Sequence, residues 1–511
     1  MTMIVGRGLE KTVCVRTAAR HVVSRAIALF VFAGVVGLCP ITAAPIQRAT
    51  SATEPSTDDT DEVVLSPEQD LQQQLESRPP GTRFRLKAGT YRLTAPLAPK
   101  ANQTIAGDKD AVLSGARPLT GFVREGSVWF VADQMQEGTV LGEGTVCLPA
   151  APRCARPEDL FLDDVMLRHA ASRADLRPGS WYFDYPANRI YIADNPSGHR
   201  IETSVTSFAV GGYAERVTLS GFVVEKFASP THEAAINGLG RGWTIEGLEV
   251  RLNHFAGIRT VDAAIAHGNY VHHNGALGFI GAGDNVIVEE NEIAFNNTAG
   301  YDPYWAAGGA KWVLTTRLLV RGNYSHDNRG HGLWTDIDNI DVVFESNRVE
   351  DNDLCGIFHE VGYRAIIRGN TVSRNGRTKP YPGWVDGAGI LVNSSSDVEV
   401  YDNTLTDNWQ GITALEGDRG SGRHGPWILA RLYVHDNIVR QSAAPQAGSG
   451  RTGILQMNQG TSAFTTAGNR FDKNTYYIGA NGRPFVWMNR DVSEDEWRRR
   501  YGQDVDGTVV R

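Results

Sequence analysis

Polar positions recur at regular intervals along the chain from residue 265 onward. Each unit has a short apolar run, then an Asn, then in most units a second Asn five residues later. Successive first Asn residues are 22–24 residues apart in the short units and 32–34 in the long ones. This spacing predicts a 22–24-residue repeat from which loops project. The pairs are Asn269/Asn274, Asn291/Asn296, Asn323/Asn328, Asn347/Asn352, Asn370/Asn375, Asn403/Asn408 and Asn469/Asn474, and Asn437 is followed by Ser442 in the second place.

Each unit is expected to form one coil of three short strands joined by turns. Asn suits such turns because it tolerates left-handed backbone angles, and stacked amides can bond the coils above and below. The sequence therefore predicts an all-β fold, a right-handed parallel β-helix over residues 206–480. The Asn residues are expected to be structural. The interior column should contain Asn269, Asn291, Asn323, Asn347, Asn370 and Asn403.

Other patterns flank the repeats. Residues 65–114 are predicted as an N-terminal cap and first coils, with a short helix that begins after Ser66 as N-cap and Pro67. Residues 115–205 alternate apolar and polar positions, which predicts a small antiparallel β insertion. Residues 481–511 are expected to form a C-terminal cap with a strand and a short helix.

The first 44 residues predict an export signal. Basic residues up to Arg25 precede an apolar run from Ala26 that ends in small residues at Ala44. An uncleaved membrane anchor is the alternative, since the run has 19 residues. Residues 45–64 are polar and acidic and are predicted to be a disordered linker. With no second such run, a secreted, extracytoplasmic protein without a membrane segment is expected after cleavage.

The composition and net charge of the chain limit the kinds of binding partner that are expected. The 511 residues are 41% hydrophobic and carry a net charge of −8, and removal of residues 1–44 would take away five bases and one acid. An acidic chain is not attracted to nucleic acid or to anionic lipid, so neither is expected as a partner. Cys147 and Cys154 are seven residues apart and are expected to form a disulfide in an oxidising compartment, with Cys355 as a buried free thiol.

Candidate catalytic residues come from side chains that break the repeat. When coils are aligned on a Gly followed by an apolar residue, the second and fourth residues after the Gly should point outward. Two carboxylates, Asp336 and Glu360, then lie on one outer face of adjacent coils. Lys311, Trp334 and Phe358 are expected beside them.

Two neighbouring carboxylates can divide the acid and base roles of glycosidases, because like charges raise one pKa. Glu360, next to the apolar Phe358 and Val361, is the expected acid. Trp334 and Phe358 are expected to stack on sugar rings. His331, His359 and Arg364 are expected to bind substrate. Two alternatives stay open: Asp336 or Glu360 only pairs with Lys311 or Arg364, and His359 points into the core.

Two long loops are predicted to flank this cluster as groove walls. One spans residues 299–312 and the other residues 377–389. Aromatic and acidic side chains in them are expected to be exposed and to contact substrate, with packing within the loops as the alternative. These residues are Tyr301, Asp302, Trp305, Trp384 and Asp386.

The run ENEIAFNNTAGYDPYWAAGGAKWVLTTRLLVRGNYSHDNRGHGLWTDIDN, with GIFHE after it, resembles secreted bacterial right-handed parallel β-helix proteins of the pectate-lyase-like superfamily. The resemblance covers about residues 65–505 and implies a polysaccharide or other glycan partner. The motifs of polygalacturonases and of mannuronan epimerases are missing. The resemblance is therefore specific for the fold and weak for the reaction.

Three functions are compatible with these patterns. The first is a glycoside hydrolase that uses Asp336 and Glu360. The second is a uronic-acid lyase or epimerase, in which Lys311 or Arg364 removes a proton and Asp336, Glu360 or Asp302 holds calcium. The third is a non-catalytic glycan-binding protein or adhesin, since solenoids offer long binding surfaces.

Overall fold

The structure is a computed structural model that describes residues 62–142, 144–378, 385–441 and 449–511. The predicted signal, nearly all of the predicted linker, Ser442 and Trp384 lie outside the described residues. Val63 and Val64, which were expected in the linker, belong to the first strand of the fold. In the part of the chain that is described, no helix is long and apolar enough to cross a membrane.

Three long sheets run through the described β-helix, and each coil from Val210 onward contributes one strand to each of them. The earlier coils have no strand in the third sheet, which ends in an antiparallel pair, Phe485–Trp487 with Arg490–Val492. Strands of successive coils pair in parallel, for example Val288 with Val320. The first sheet contains Val63–Leu65, Arg83–Leu86, Thr104–Gly107, Thr218–Ser220, Thr244–Glu246, Ile265–His267, Ile287–Glu289, Leu319–Arg321, Val342–Glu345, Ala365–Arg368, Val398–Tyr401, Tyr433–His435 and Arg470–Asp472.

The second sheet follows the first within each coil, and the third follows the second. The second sheet contains Gly89–Arg92, Ala111–Ser114, Val223–Glu225, Glu249–Arg251, Tyr270–His272, Glu292–Ala294, Tyr324–His326, Arg348–Glu350, Thr371–Ser373, Thr404–Thr406, Ile438–Arg440, Thr475–Tyr477 and Thr508–Val510. The third contains Val210–Gly212, Ala234–Gly238, Ala256–Thr260, Leu277–Asp284, Gly308–Thr316, His331–Asp336, Ile357–Glu360, Ala388–Asn393, Gln410–Glu416, Thr452–Gln456, Phe485–Trp487 and Arg490–Val492.

The parallel β-helix predicted from the repeat is confirmed, and alternate strand residues fill its interior. Phe279, Leu333 and Ile357 belong to one continuous apolar core that extends from Leu65 to Trp497. Because side chains alternate across a strand, the residues next to these core positions face outward.

Asn side chains form two hydrogen-bonded ladders through the coils, as the sequence predicts. In the first ladder, the Nδ2 of Asn347 donates to the Oδ1 of Asn370 at 2.9 Å. In the second, Asn352 donates to Asn375 at the same distance. The prediction is wrong for the last pair. Asn474 continues the first ladder by accepting from Asn437, while Asn469 bonds the backbone of Leu432 in a different turn.

Two small sheets lie between the coil strands Ala111–Ser114 and Val210–Gly212, and their strands pair antiparallel except for Arg168–His169, which is parallel to Ser180–Asp184. Lys226 of the β-helix reaches the buried Glu202 of this insertion at 2.6 Å. One sheet contains Ala116–Pro118, Leu160–Leu162, Val165–Met166 and Ile201–Ser204. The other contains Val123–Glu125, Val128–Val131, Arg168–His169, Ser180–Asp184 and Arg189–Ile192.

Short helices and a hairpin complete the described chain. The first helix begins at Leu71, four residues later than Pro67 would give, because Asp70 and not Ser66 caps it by accepting from the amide of Gln73. The helices are Leu71–Ser77, Pro303–Ala306, Ser462–Thr465, a 3₁₀ turn at Arg173–Asp175 and a π-helical turn at Glu496–Arg500. Strands Ser421–Gly422 and Gly425–Pro426 form the hairpin.

The predicted disulfide is confirmed. Cys147 and Cys154 are bridged, and Cys147 also pairs in a β-bridge with Tyr301. Cys355 is a buried free thiol. The disulfide closes a short loop within the insertion, and the β-bridge of Cys147 attaches that loop to the first of the two predicted loops.

Candidate functional site

Two adjacent strands of the third sheet, His331–Asp336 and Ile357–Glu360, carry the predicted carboxylates at their ends. Thr335 pairs with His359 across these strands, and each carboxylate follows directly. Leu333 and Ile357 point into the core. Because side chains alternate, Asp336 and Glu360 share the outer face, as predicted.

Lys311, one coil earlier, is in contact with three groups of this cluster. Its Nζ lies 2.9 Å from Oδ2 of Asp336 and donates to the carbonyl of Trp305 at 2.7 Å. The same atom lies 3.7 Å from the centre of the Trp334 ring. Lys311 therefore fixes one carboxylate and one aromatic ring with a single positive charge.

Glu360 is almost fully buried and is held by two donors from the following coils. Arg419 Nη1 lies 2.6 Å from its Oε1, and Asn393 Nδ2 donates to the same oxygen at 3.1 Å. Burial raises the pKa of Glu360 and the charge of Asp336 raises it further, while Arg419 and Lys311 oppose the shift. The net direction is upward, which favours the protonated acid.

Asp386 adds a third carboxyl group. Burial, together with the charge of Glu360, raises the pKa of Asp386 to about 6. The sequence placed Asp386 on a groove wall as an exposed residue that contacts substrate. The structure places it, partly buried, close enough to Glu360 for their charges to interact.

An aromatic group lies beside the carboxylates on the same outer face, because Trp334 and Phe358 come two residues before them in the two strands. The rings of Trp334 and Phe358 are stacked 5.5 Å apart, and His331 lies 4.9 Å from each of them. Trp334 is 2% exposed and Phe358 7%. The prediction that these two rings offer open faces to sugars is therefore wrong, because Val385 and Leu391 pack against them. They form an apolar floor next to the buried Glu360.

Several polar atoms of this cluster are buried without a hydrogen-bond partner among the described residues. They are both ring nitrogens of His331, Nε1 of Trp334 and Oδ1 of Asp336. Burial lowers the pKa of His331 to about 3, with Lys311 adding to the effect, so this imidazole is neutral. Unpaired buried groups are costly, and a cluster of them marks a place where a polar ligand or ordered water completes the bonding.

Arg419 reaches Glu360 from the hairpin segment 417–428, which the repeat pattern does not place at the site. Asp338 anchors this hairpin, because its carboxylate accepts from Trp427 Nε1 at 3.0 Å and from the amide of Arg423 at 3.1 Å. The hydroxyl of Tyr363 shares its one hydrogen between two acceptors, the carbonyl of Gly425 at 2.9 Å and Oδ1 of Asp338 at 3.2 Å. A signal for the hairpin was present: the Gly-rich run DRGSGRHGPW lengthens this repeat unit.

Two predicted substrate-binding residues have other roles. His359 is fully buried and faces inward, with Nδ1 bonded to Thr335 Oγ1 at 2.8 Å and Nε2 to the carbonyl of Tyr363. It occupies the third place after Gly356, where alternation directs a side chain into the core. Arg364 makes a two-pronged ion pair with Asp341 at the start of the first-sheet strand Ala365–Arg368. Neither belongs to the cluster.

The first predicted loop packs against the molecule. Tyr301 is fully buried, whereas the sequence predicted exposure, because its ring packs 5.1 Å from Phe255. Asp302 caps the helix Pro303–Ala306 by accepting from the amide of Tyr304. Trp305 is partly exposed and supplies the carbonyl that Lys311 binds. Trp384 of the second loop lies outside the described residues.

The calcium considered above has no ready ligand set in the part of the chain that the structure describes. No group of three or more His, Cys, Asp or Glu side chains is placed there to hold a metal ion. Asp302 is used as a helix cap, and Asp336 is paired with Lys311.

Comparisons with known proteins agree with the architecture. The family model for the right-handed β-helix region matches residues 234–405 of this chain. No curated protein matches the chain. Among solved structures, XylC in complex with xylose has a TM-score of 0.64 at 13% identity, covering 88% of this chain and 86% of that one. A structure named only as a glycoside hydrolase has a TM-score of 0.47 at 10% identity, covering 69% and 94%.

A third similar structure is the A-module of mannuronan C-5 epimerase AlgE6 from Azotobacter vinelandii. Its TM-score is 0.44 at 14% identity, with 86% of this chain and 91% of that one covered. At such identities the likeness concerns the fold alone. The chain adopts the right-handed parallel β-helix fold.

Proposed function

We propose that this protein is a carbohydrate-active enzyme, specifically a glycoside hydrolase. In this proposal Asp336 and Glu360 are the catalytic residues that cleave a polysaccharide. The observation that carries the proposal is that two buried carboxyl groups lie on one outer face at the ends of adjacent strands, each paired with a different cation. The pKa of Glu360 is raised although Arg419 is paired with it, and Asp336 forms an ion pair with Lys311. Pairs of carboxyl groups in unlike environments divide the roles of acid and base.

Glu360 is the general acid in this proposal. The apolar floor of Trp334 and Phe358 disfavours its charged form, so a proton is available for the oxygen of the leaving sugar. Arg419 opposes this effect and keeps the pKa from rising further. The same guanidinium stabilises the carboxylate that remains after the proton has been transferred.

Asp336 is the second carboxylate, acting as nucleophile or as base toward water. Lys311 holds one of its oxygens and leaves Oδ1 without a partner among the described residues. That free oxygen is the one that would face the anomeric carbon or the attacking water. Asp386, close to Glu360, is a further group that would hold or exchange a proton.

The fold comparison gives independent support for a sugar substrate. XylC, whose fold is similar over most of both chains, was solved with xylose. The ring nitrogens of the neutral His331 also lack partners among the described residues, and sugar hydroxyls would supply them.

A lyase or epimerase reaction has less support. That reaction needs a basic residue with an unengaged side chain, and both residues predicted for it are engaged. Lys311 donates to a carbonyl and pairs with Asp336, and Arg364 is paired with Asp341. A glycan-binding adhesin would not need a buried acid beside an ion-paired carboxylate.

A glycan panel tests the proposal. The expected result is the release of new reducing ends without the ultraviolet absorbance of an unsaturated product. Unsaturated products would contradict the hydrolase proposal and show that the protein is a lyase. Binding without any cleavage would show that it is a non-catalytic glycan-binding protein. NMR of the first product would then show whether the anomeric configuration is retained or inverted.

We also propose that the protein acts outside the cytoplasm. The disulfide between Cys147 and Cys154 supports this, since such bonds persist in oxidising compartments. Cell fractionation with N-terminal sequencing of the exported chain tests it. A mature chain that begins near residue 45 is expected, and a chain found only in the cytoplasm would contradict it.

A further inference from the structure

A second polar cluster lies on the same outer face, on the N-terminal side of the carboxylates. The outward row of the third sheet connects the two, because Arg259 pairs with Ile280, Ile280 with Lys311, and Lys311 with Trp334. With strands about 4.8 Å apart, Arg259 lies about 14 Å from Trp334 along the helix axis.

This cluster consists of Glu233, Asn237 and Arg259. Asn237 Nδ2 donates to Glu233 Oε2, and Arg259 Nη2 lies 3.3 Å from the same carboxylate oxygen. Arg259 also donates to the carbonyl of His232. Ile236 and Ile258, the neighbours of Asn237 and Arg259, are in the core, so both polar side chains point outward.

One hydrogen-bond acceptor and one donor of this cluster have no partner among the described residues. Oδ1 of Asn237 is a buried acceptor and Nε of Arg259 a buried donor, and neither has a partner among the described residues. Asn237 is 5% exposed. A hydroxyl group can donate to the first and accept from the second, which a carboxylate or an ammonium cannot do.

We propose that Glu233, Asn237 and Arg259 form a second binding site for a neutral sugar unit of the polymer whose cleavage is proposed above. The ligand is neutral because Glu233 already balances the charge of Arg259. Ile280 lies between the two sites and gives the intervening sugar an apolar surface. The inference rests on the proposed function and adds the direction of the polymer, parallel to the helix axis.

The opposite direction is less open. Beyond Phe358, the same outward row continues with Leu391 and Thr413, both fully or almost fully buried. Lys311 and Arg259, by contrast, are partly exposed. The polymer therefore extends from the carboxylates toward the N-terminal coils.

Kinetics as a function of substrate length test this site. The probes are xylo-oligosaccharides and neutral gluco-oligosaccharides, from the disaccharide upward, with full-length protein. Asn237→Ala is expected to raise KM about three- to tenfold for long oligomers, as loss of one neutral hydrogen bond predicts. Arg259→Gln is expected to raise it about ten- to a hundredfold, because the lost donor is charged, and both variants should leave the shortest substrate unchanged. Arg321→Gln, which removes a guanidinium paired with Glu289 on the first sheet, is the matched control.

Calorimetric binding to a Glu360→Gln background separates this inference from the proposed function. Weaker binding of long oligomers after Asn237→Ala supports the second site even if the wild type cleaves nothing. Equal effects on all lengths, or none on any, overturn the site while the hydrolase proposal stands. If Asn237→Ala lowers Tm, Asn237→Ser repeats the measurement with a smaller change, and a length-independent result overturns the site in the same way.

Discussion

Arg419 and Glu360 are separated by 59 residues in sequence, and their side chains meet at 2.6 Å. The contact links the charge of an irregular hairpin to the acid of the proposed site. Because burial and Asp336 raise the pKa of Glu360 while Arg419 lowers it, this one ion pair adjusts the pH range in which the acid is protonated.

Removal of either carboxyl function should abolish most activity. Glu360→Gln and Asp336→Asn keep the shape of the side chains, and each is expected to lower kcat by about 10²–10⁴-fold, the range for loss of a general acid or base. Initial rates of reducing-end release measure this. Asp341→Asn, which removes only the surface partner of Arg364, should keep wild-type rates. Near-wild-type turnover in both site variants would contradict the assignment.

Substitution of Arg419 and of Asp336 should shift the alkaline limb of the pH–activity profile in opposite directions. A general acid works while protonated, so activity falls as pH rises through its pKa. Arg419→Gln removes a group that lowers the pKa of Glu360 and should move this limb to higher pH. Asp336→Asn removes a group that raises it and should move the residual activity to lower pH. An unchanged limb in Arg419→Gln would argue against Glu360 as the acid.

Asp338 should hold the hairpin in place. It accepts bonds from Arg423, Trp427 and Tyr363, and a Cβ at Gly422 would overlap its Oδ1. Asp338→Ala is expected to release residues 417–428, so that trypsin cuts after Arg419 or Arg423 faster than in the wild type. The alkaline limb should move as in Arg419→Gln, by a smaller amount.

Asp397→Ala, which removes only the exposed partner of Arg431, is the control for that proteolysis. Resistance of Asp338→Ala to trypsin, equal to that of the wild type, would show that the hairpin does not depend on Asp338.

Asp386 should make the folded protein less stable as pH rises. Its pKa is raised from 3.8 to about 6, so between these values the folded state binds more protons than the unfolded state. The free energy of unfolding therefore decreases across that window, by up to about 3 kcal/mol. Asp386→Asn should raise Tm at pH 7.5 relative to the wild type and reduce the difference at pH 4. Asp110→Asn, at an exposed position, should change neither.

The ladder should contribute measurably to stability. Asn347 donates to Val320 and Asn370 and accepts from the amide of Asn323. Asn347→Ala leaves those buried groups unpaired and should cost about 1–3 kcal/mol in urea unfolding. Asn195→Ala, at an exposed turn, is the comparison. A variant as stable as the wild type would contradict a structural role for the ladder.

The sequence predicts the β-helix well because its signal is periodic. Each coil repeats the same inward and outward positions, so Asp336 and Glu360 could be placed on one face from spacing alone. Alternation also assigns His359 to the interior, although it was among the predicted binding residues. Asn474 was assigned to the wrong ladder because its unit contains a long insertion.

Irregular segments defeat the same reasoning. Arg419 lies outside the repeat, and nothing in its spacing indicates where the hairpin folds back. The burial of Trp334 and Phe358 depends on Val385, whose position is set by packing. The repeat pattern predicts that these two rings point outward from the β-helix. It does not predict which residues cover them.

The two amide ladders impose a rule on how such a chain can change in length. An Asn within a ladder, such as Asn347, donates to the next coil and accepts from the previous one, so a partial coil would place an apolar residue where an amide is needed. The stacked coils of the β-helix, the trunk of the molecule, can therefore be lengthened or shortened only by whole coils. Turns at its surface carry no such restriction, as the segments before Lys311 and around Arg419 demonstrate. Inherited diversity in substrate choice should therefore accumulate in the loops, while the trunk varies in discrete steps.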